Sequence, residues 1–208
     1  RGLGDVYKRQ VEGYVKVGPN PDGITIANER IYTADTDGMN WPSQSTRVSV
    51  VDINSFEFEK TITVSLNPNY IYSDSDGDVY VICMSDYSDD KSYIVQRIDA
   101  KTDEVKTVEG IKAYKMTVAD DIAYIMFNDY YANEVKYYKY DLKNEKLLSD
   151  NFITDGTVVS SPNGIGVDPV TGDIYVGKSN KKNNGDVYVF SSEGKLKSQF
   201  ETLPYPAD

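Results

Sequence analysis

The chain has 208 residues, with 22 Lys and Arg against 33 Asp and Glu, giving a formal charge of −11 at pH 7. Such a surface repels phosphate backbones and anionic lipid, which argues against nucleic-acid and membrane-surface partners. Histidine is absent and Cys83 is the only cysteine. That composition removes Ser-His-Asp and Cys-His catalysis, imidazole zinc sites and intrachain disulfides together. No apolar run approaches the length of a transmembrane helix.

The first ten residues, Arg1–Gln10, fit nothing that follows. Asp5–Gln10 back-translates as GAT GTG TAT AAG AGA CAG, which matches the transposase end sequence used in preparing sequencing libraries. Residues 1–10 therefore read as translated adapter and are set apart from the fold. Without Arg1, Lys8, Arg9 and Asp5 the remaining 198 residues carry 19 basic and 32 acidic groups, net −13. On this reading the native N-terminus lies upstream, and a few residues are expected beyond Pro204–Asp208. The stretch Val11–Val17 reads as the outermost strand of a preceding unit.

From residue 20 onward the chain repeats with a period of roughly 47 residues. The first unit runs from Asn20-Pro-Asp-Gly-Ile-Thr-Ile26 through Ile31-Tyr-Thr-Ala34 and Val48-Ser-Val-Val-Asp52 to Lys60-Thr-Ile-Thr-Val64. The second has Asn67-Pro-Asn-Tyr-Ile71, Val79-Tyr-Val-Ile82, Ile94-Val-Gln-Arg-Ile-Asp99 and Val105-Lys-Thr-Val108. The third has Ala113–Val118, Ala123–Met126, Tyr137–Asp141 and Lys146–Leu148; the fourth has Pro162–Val167, Ile174–Val176, Val187–Phe190 and Leu196–Phe200. Approximate units are 20–66, 67–111, 112–160 and 161–208, within a single domain over 11–208. Tyr32, Tyr80, Tyr124 and Tyr175 form one recurring column, and Asp52, Asp99, Asp141 and Ser191 a second.

Each unit predicts four short strands rich in Val, Ile, Tyr and Thr, separated by turn residues such as Asn28-Glu29, Asp76-Gly-Asp78 and Asp120-Asp121. The aspartate column precedes the turn between third and fourth strands, where a carboxylate accepts backbone N–H groups two residues on. Second strands such as Val79–Met84 and Ile122–Phe127 are apolar without alternation, so both their faces must be covered. No helical pattern is long enough to cover them, and neighbouring sheets must do so. The fold class is all-β: a β-propeller fragment of about four four-stranded blades.

The pattern Pro162-Asn-Gly-Ile-Gly-Val-Asp-Pro-Val-Thr-Gly-Asp-Ile-Tyr-Val176, followed by Gly185-Asp-Val-Tyr-Val-Phe190, resembles the YncE-like propellers. It is similar to the surface lipoproteins of Bacteroidetes that carry the DUF5074 type of repeat, as is Glu12–Gly18 with Pro21-Asp-Gly-Ile24. The resemblance implies a seven-bladed ring, exported and held at the outer-membrane surface by an N-terminal lipid anchor. One branch of that family captures cobalamin and passes it to a TonB-dependent outer-membrane transporter; no short motif places this chain in that branch. Other members imply a surface glycan or protein as ligand.

A ligand is expected on one end of the ring. The loops there lead into each inner strand (19–23, 67–70, 112–115, 161–164) or join second to third strands (35–46, 85–92, 128–134, 178–185). They carry Trp41, Tyr70, Tyr87, Tyr114, Tyr130 and Tyr131, with Asp22, Asp37, Asn40, Asp86, Asn128 and Asn163 as polar companions. Rings for stacking beside amides and carboxylates suit a large planar or amphipathic ligand such as a corrinoid. Asp35-Thr-Asp-Gly38 and Asp74-Ser-Asp-Gly-Asp78 lack the downstream glutamate of a calcium loop and read as turns. Asp86, Asp89 and Asp90 read as a solvated charge cluster rather than a glycosidase pair. The expectation is a binding protein with no catalytic residues, metal or cofactor; a metal-dependent hydrolase or lactonase propeller is the rival.

Overall fold

The computed structural model describes residues 13–87, 93–129, 134–179 and 184–203. It consists of four four-stranded antiparallel meanders. The first is β1 (Pro21–Ala27), β2 (Arg30–Asp35), β3 (Arg47–Asp52) and β4 (Phe58–Thr63); the second is β5 (Pro68–Ser73), β6 (Val79–Cys83), β7 (Ile94–Ile98) and β8 (Val105–Thr107). The third is β9 (Lys115–Ala119), β10 (Ile122–Asp129), β11 (Glu134–Asp141) and β12 (Lys146–Ser149). The fourth is β13 (Pro162–Val167), β14 (Ile174–Lys178), β15 (Gly185–Phe190) and β16 (Leu196–Thr202). Each sheet packs its face on the next, so these are the blades of a β-propeller.

The blade interfaces explain the unalternating second strands. All five residues of β6 are fully buried. Val79, Val81 and Cys83 pack towards the first blade with Tyr32, Val48 and Val50, while Tyr80 and Ile82 pack towards the third with Met116, Ile125 and Phe127. Burying each such side chain contributes about 1.5–3 kcal/mol, which makes the interfaces the main source of stability. The tyrosine column faces the following blade: the Tyr80 hydroxyl donates to the Leu142 carbonyl at 2.6 Å, and Tyr124 meets Phe152 edge-on.

The Asp column behaves as its chemistry dictates. Asp52 Oδ1 accepts the N–H groups of Asn54 and Ser55, and Asp99 Oδ1 those of Lys101 and Thr102. Asp141 accepts from Asn144, and the Ser191 hydroxyl stands in for the carboxylate in the fourth blade. These backbone donors hold the Asp99 carboxyl at about 2.

The strand expected at Val11–Val17 does not form over its described part, residues 13–17, which are irregular. The segment instead leads onto the face of the first sheet, where the Gly18 N–H donates to Asp35 Oδ2 (3.1 Å) and to the Ser49 hydroxyl (3.2 Å). Its alternating Tyr14, Val15 and Lys16 have the pattern of a strand but pair with no edge among the described residues. The buried Asp35 carboxylate instead supplies an acceptor for the Gly18 N–H.

Candidate functional site

The inner strands β1, β5, β9 and β13 all start at the same end of the blades, next to the loops that join second and third strands. Their starts share one irregularity. In the first blade Pro21 pairs with Asp35 and Gly23 with Ala34, so Asp22 is an extra residue. Asn69 is extra between Pro68 and Tyr70, and Asn163 between Pro162 and Gly164. In the third blade Tyr114 donates its N–H to Met126, the residue that Lys115 already faces. Proline lacks an N–H and is tolerated where a strand begins, and a bulge twists the strand out of the ladder. Asp22, Asn69, Tyr114 and Asn163 therefore hold equivalent positions in four successive blades.

A cleft of about 340 Å³ opens at this end between the first two blades, lined by Asp22, Asn69, Asn20, Thr36, Met39 and Tyr87 among others. Gly23 lets the two inner strands approach: a Cβ there would lie 2.5 Å from the Asn69 carbonyl oxygen. Tyr87 sits at φ 63°, a conformation costly for a bulky residue, and its ring is part of the cleft rim. Beside it, the Trp41 indole N–H donates to the Asp86 carbonyl at 2.9 Å, pinning an otherwise exposed ring. Met39 and Tyr87 are exposed apolar side chains on the cleft, and the exposed Trp41 ring adjoins them through its bond to Asp86.

Further along the same end, the Lys115 ammonium lies 5.4 Å from the centroid of the Tyr70 ring. Burial pushes the Tyr70 phenol up, Lys115 draws it partly back, and Tyr114 and Asp22 push it up again. Tyr70 is thus a neutral hydroxyl at physiological pH, placed between the Asp22 cleft and Tyr114.

The sequence-derived residues fall into four groups. Asp22 and Tyr87 line one cleft with Trp41 adjoining, and Tyr70 and Tyr114 continue the row. Two others are engaged in structure: Asn40 Nδ2 donates to Asp37 (3.3 Å) and to the Ser43 carbonyl (3.1 Å), and Asn128 Nδ2 donates to the Pro162 carbonyl (3.0 Å), tying the last two blades. Asn163 keeps its place in the bulge column but does not line the cleft. Tyr130 and Tyr131 lie outside the described residues, as do Asp89 and Asp90. Sequence reasoning missed Asn69, whose signal was its equivalence to Asp22 in Asn-Pro-Asp-Gly and Asn-Pro-Asn-Tyr. Met39 and Lys115 were missed too, and carried no comparable signal.

Cys83 is buried at a blade interface and its thiol is pushed up to about 12, so it is an inert core group. Among the described residues no group of three or more His, Cys, Asp or Glu side chains is arranged to hold a metal ion. Asp74 accepts the N–H groups of Asp76 and Asp78, which makes Asp74–Asp78 a turn.

No family model matches the chain, and no curated protein does. Among solved structures it is similar to hydrazine synthase from Kuenenia stuttgartiensis, with a TM-score of 0.66 at 15% identity over 89% of this chain and 55% of that one. It is also similar to a quinoprotein alcohol dehydrogenase-like protein from Bacteroides thetaiotaomicron, with a TM-score of 0.59 at 17% identity over 86% and 45%. The Dos1 propeller gives a TM-score of 0.58 at 13% identity over 86% and 46%. The chain spans about half the length of the solved structures it matches. At these identities the likeness is one of fold, and the class it defines together with the four sheets is the β-propeller.

Proposed function

We propose that this propeller is a non-enzymatic binding protein that captures its ligand at the end of the blades where the inner strands begin. The observation that carries this reading is the row of Asp22, Asn69, Tyr70 and Tyr114 beside the Trp41–Tyr87 rim. It combines hydrogen-bonding groups of both polarities with ring faces left open to solvent. A row that runs across three blades suits an extended amphipathic ligand rather than a small ion. The leading ligand is a corrinoid, held by its amide-rich edge and stacked on the rim. The YncE-like and DUF5074-like blade pattern adds an outer-membrane surface location, a lipid anchor and hand-over to a TonB-dependent transporter. A surface glycan is the second reading, favoured by the size of the cleft, which suits one or two sugar rings between Tyr87 and Asp22.

Equilibrium dialysis against cyanocobalamin, with a panel of oligosaccharides run alongside, tests this. Saturable corrinoid binding that weakens in Trp41→Ala and Tyr87→Ala supports the first reading, and saturable oligosaccharide binding with the same losses supports the second. Absence of both at micromolar protein overturns the proposal, as does turnover of any bound compound.

A further inference from the structure

The outer edge of the third strand is covered in three blades and left half open in the other. In the first blade β3 is paired with β4 over 47–51, and in the fourth β15 is paired with β16 along its whole length. In the second blade β8 covers 96–98, and the Val108 N–H reaches back to the Val95 carbonyl at 2.8 Å. In the third blade β11 starts at Glu134, yet β12 pairs only with Lys139, Tyr140 and Asp141. The cause is local. The Ser149 hydroxyl donates to the Asn151 carbonyl (2.6 Å) and accepts the Asn151 N–H (3.2 Å), while Asn151 Oδ1 accepts the Ile153 N–H (3.0 Å). Such bonds draw a backbone out of its ladder, and Phe152 and Ile153 are then buried among side chains of the third and fourth blades.

The register shows which groups this leaves open. Bonded pairs alternate along an antiparallel ladder. The Leu142 N–H donates to the Asp121 carbonyl, so β11 bonds to β10 through Tyr140, Tyr138, Lys136 and Glu134. Val135 and Tyr137 therefore turn their N–H and C=O groups outward, and among the described residues no backbone group pairs with them. The same two residues line a slot of about 330 Å³ whose far wall is the connector at 157–161. The Tyr137 hydroxyl donates to the Val159 carbonyl at 3.1 Å and fixes that wall. Ile153, Val158 and Val159 give the slot an apolar side, and Val158 is 81% exposed.

We infer that an extended peptide segment of a partner protein adds to this open half of β11 as a further strand, with alternate side chains seated in the slot. The occupant follows from the chemistry of the edge. Outward N–H and C=O groups on alternate residues of a strand are matched by another extended backbone, which gives affinity while the adjoining pocket gives choice. The slot lies at the small end of ligand sites, which suits Val, Ile or Thr side chains that also favour the extended backbone. The chain's charge of −11 favours basic residues on either side of that core.

Amide hydrogen exchange, read by NMR on the full 208-residue chain, is the first test. The Val135 and Tyr137 amides should exchange faster than those of Lys136 and Tyr138, which are bonded to β10. Equal protection of all four means that the edge is already filled and overturns the inference. The chain is then panned against a phage-displayed library of random peptides, and the recovered peptide is synthesised. It should alternate β-branched and polar residues between basic flanks, and its binding should slow exchange at Val135 and Tyr137. Methylating the peptide nitrogens that face β11 should weaken binding by about 10-fold or more, and methylating the intervening ones should not. Val135→Pro removes an outward N–H that β10 does not use, and Val158→Lys sets a cation in the apolar side of the slot. Each should also weaken binding by about 10-fold or more, with circular dichroism unchanged. Val158→Lys, at an exposed position, carries the test if the proline disturbs folding. Failure to recover any peptide overturns the inference. So does a peptide that leaves exchange at Val135 and Tyr137 unchanged, or one indifferent to these substitutions and to the register of methylation.

Discussion

Two Tyr→Phe substitutions in the same column should have opposite consequences. Tyr80 and Tyr32 are both fully buried and both face the following blade. The Tyr80 hydroxyl donates to the Leu142 carbonyl at 2.6 Å, and among the described residues that carbonyl has one other donor, the Glu145 N–H at 3.3 Å. Among the described residues the Tyr32 hydroxyl is buried without a well-formed hydrogen bond, with the Arg30 guanidinium alongside. Removing a paired buried hydroxyl and weakening the satisfaction of its acceptor costs about 1–2 kcal/mol, whereas removing a buried hydroxyl that lacks a partner relieves a desolvation cost. Tyr80→Phe is therefore expected to lower stability by about 1–2 kcal/mol, or roughly 2–8 °C in Tm for a chain of this size. Tyr32→Phe should change it by less than about 0.5 kcal/mol, or raise it. Urea unfolding of the three proteins checks this, provided their m values agree so that midpoints can be compared. Equal losses, or a larger loss in Tyr32→Phe, would refute the view that hydrogen bonding across the interface distinguishes members of the column.

Gly23→Ala forces a Cβ against the Asn69 carbonyl and the Ile71 N–H, both backbone groups, and should cost roughly 1–3 kcal/mol in the same assay while weakening ligand binding at the adjoining cleft. Asp99 is held low by backbone N–H groups, so its charge stabilises the fold above the unfolded value near 4 and stops doing so as pH falls through about 2. The stability difference between wild type and Asp99→Asn should accordingly be constant above pH 5 and vanish towards pH 2, as read by acid titration of ellipticity. Asp74 is shifted the other way, first by burial and then by Asp78 and Asp121, and its Oδ2 is buried without a partner among the described residues. Its ionised form penalises the fold, so Asp74→Asn should raise Tm at pH 7 and lose that advantage as pH falls below 4.

Much of the fold was legible because each blade repeats one solution to the same problem. Apolar second strands such as Val79–Cys83 announce burial on both faces, and Asp52, Asp99 and Asp141 announce tight turns through local hydrogen bonds. Both signals lie within a few residues of the groups that cause them. The site was less legible because its geometry comes from pairings between distant segments. Asn69 reads as a turn residue until β5 is placed on β6 and a bulge emerges. Trp41 is fixed by a carbonyl 45 positions away, at Asp86. Asn40 and Asn128 look like ligand contacts in the sequence because an amide's partner is invisible there; in the fold both amides satisfy backbone carbonyls. The stretch at 13–17 shows the converse failure. A strand pattern specifies which side chains alternate, but not that an edge is available to pair with.

Trp41 is the only tryptophan in the chain and stands beside the proposed cleft, so its fluorescence is sensitive to ligand bound there. The most direct measurement is a titration of its emission with cyanocobalamin and, separately, with the oligosaccharides, corrected for absorption by the ligand and repeated in Asp22→Asn. The account predicts a saturable change for one of the two ligand classes, shifted to higher ligand concentration by the substitution. An emission that stays constant for both, while dialysis shows ligand bound, would put the binding site elsewhere and contradict capture at this end of the blades.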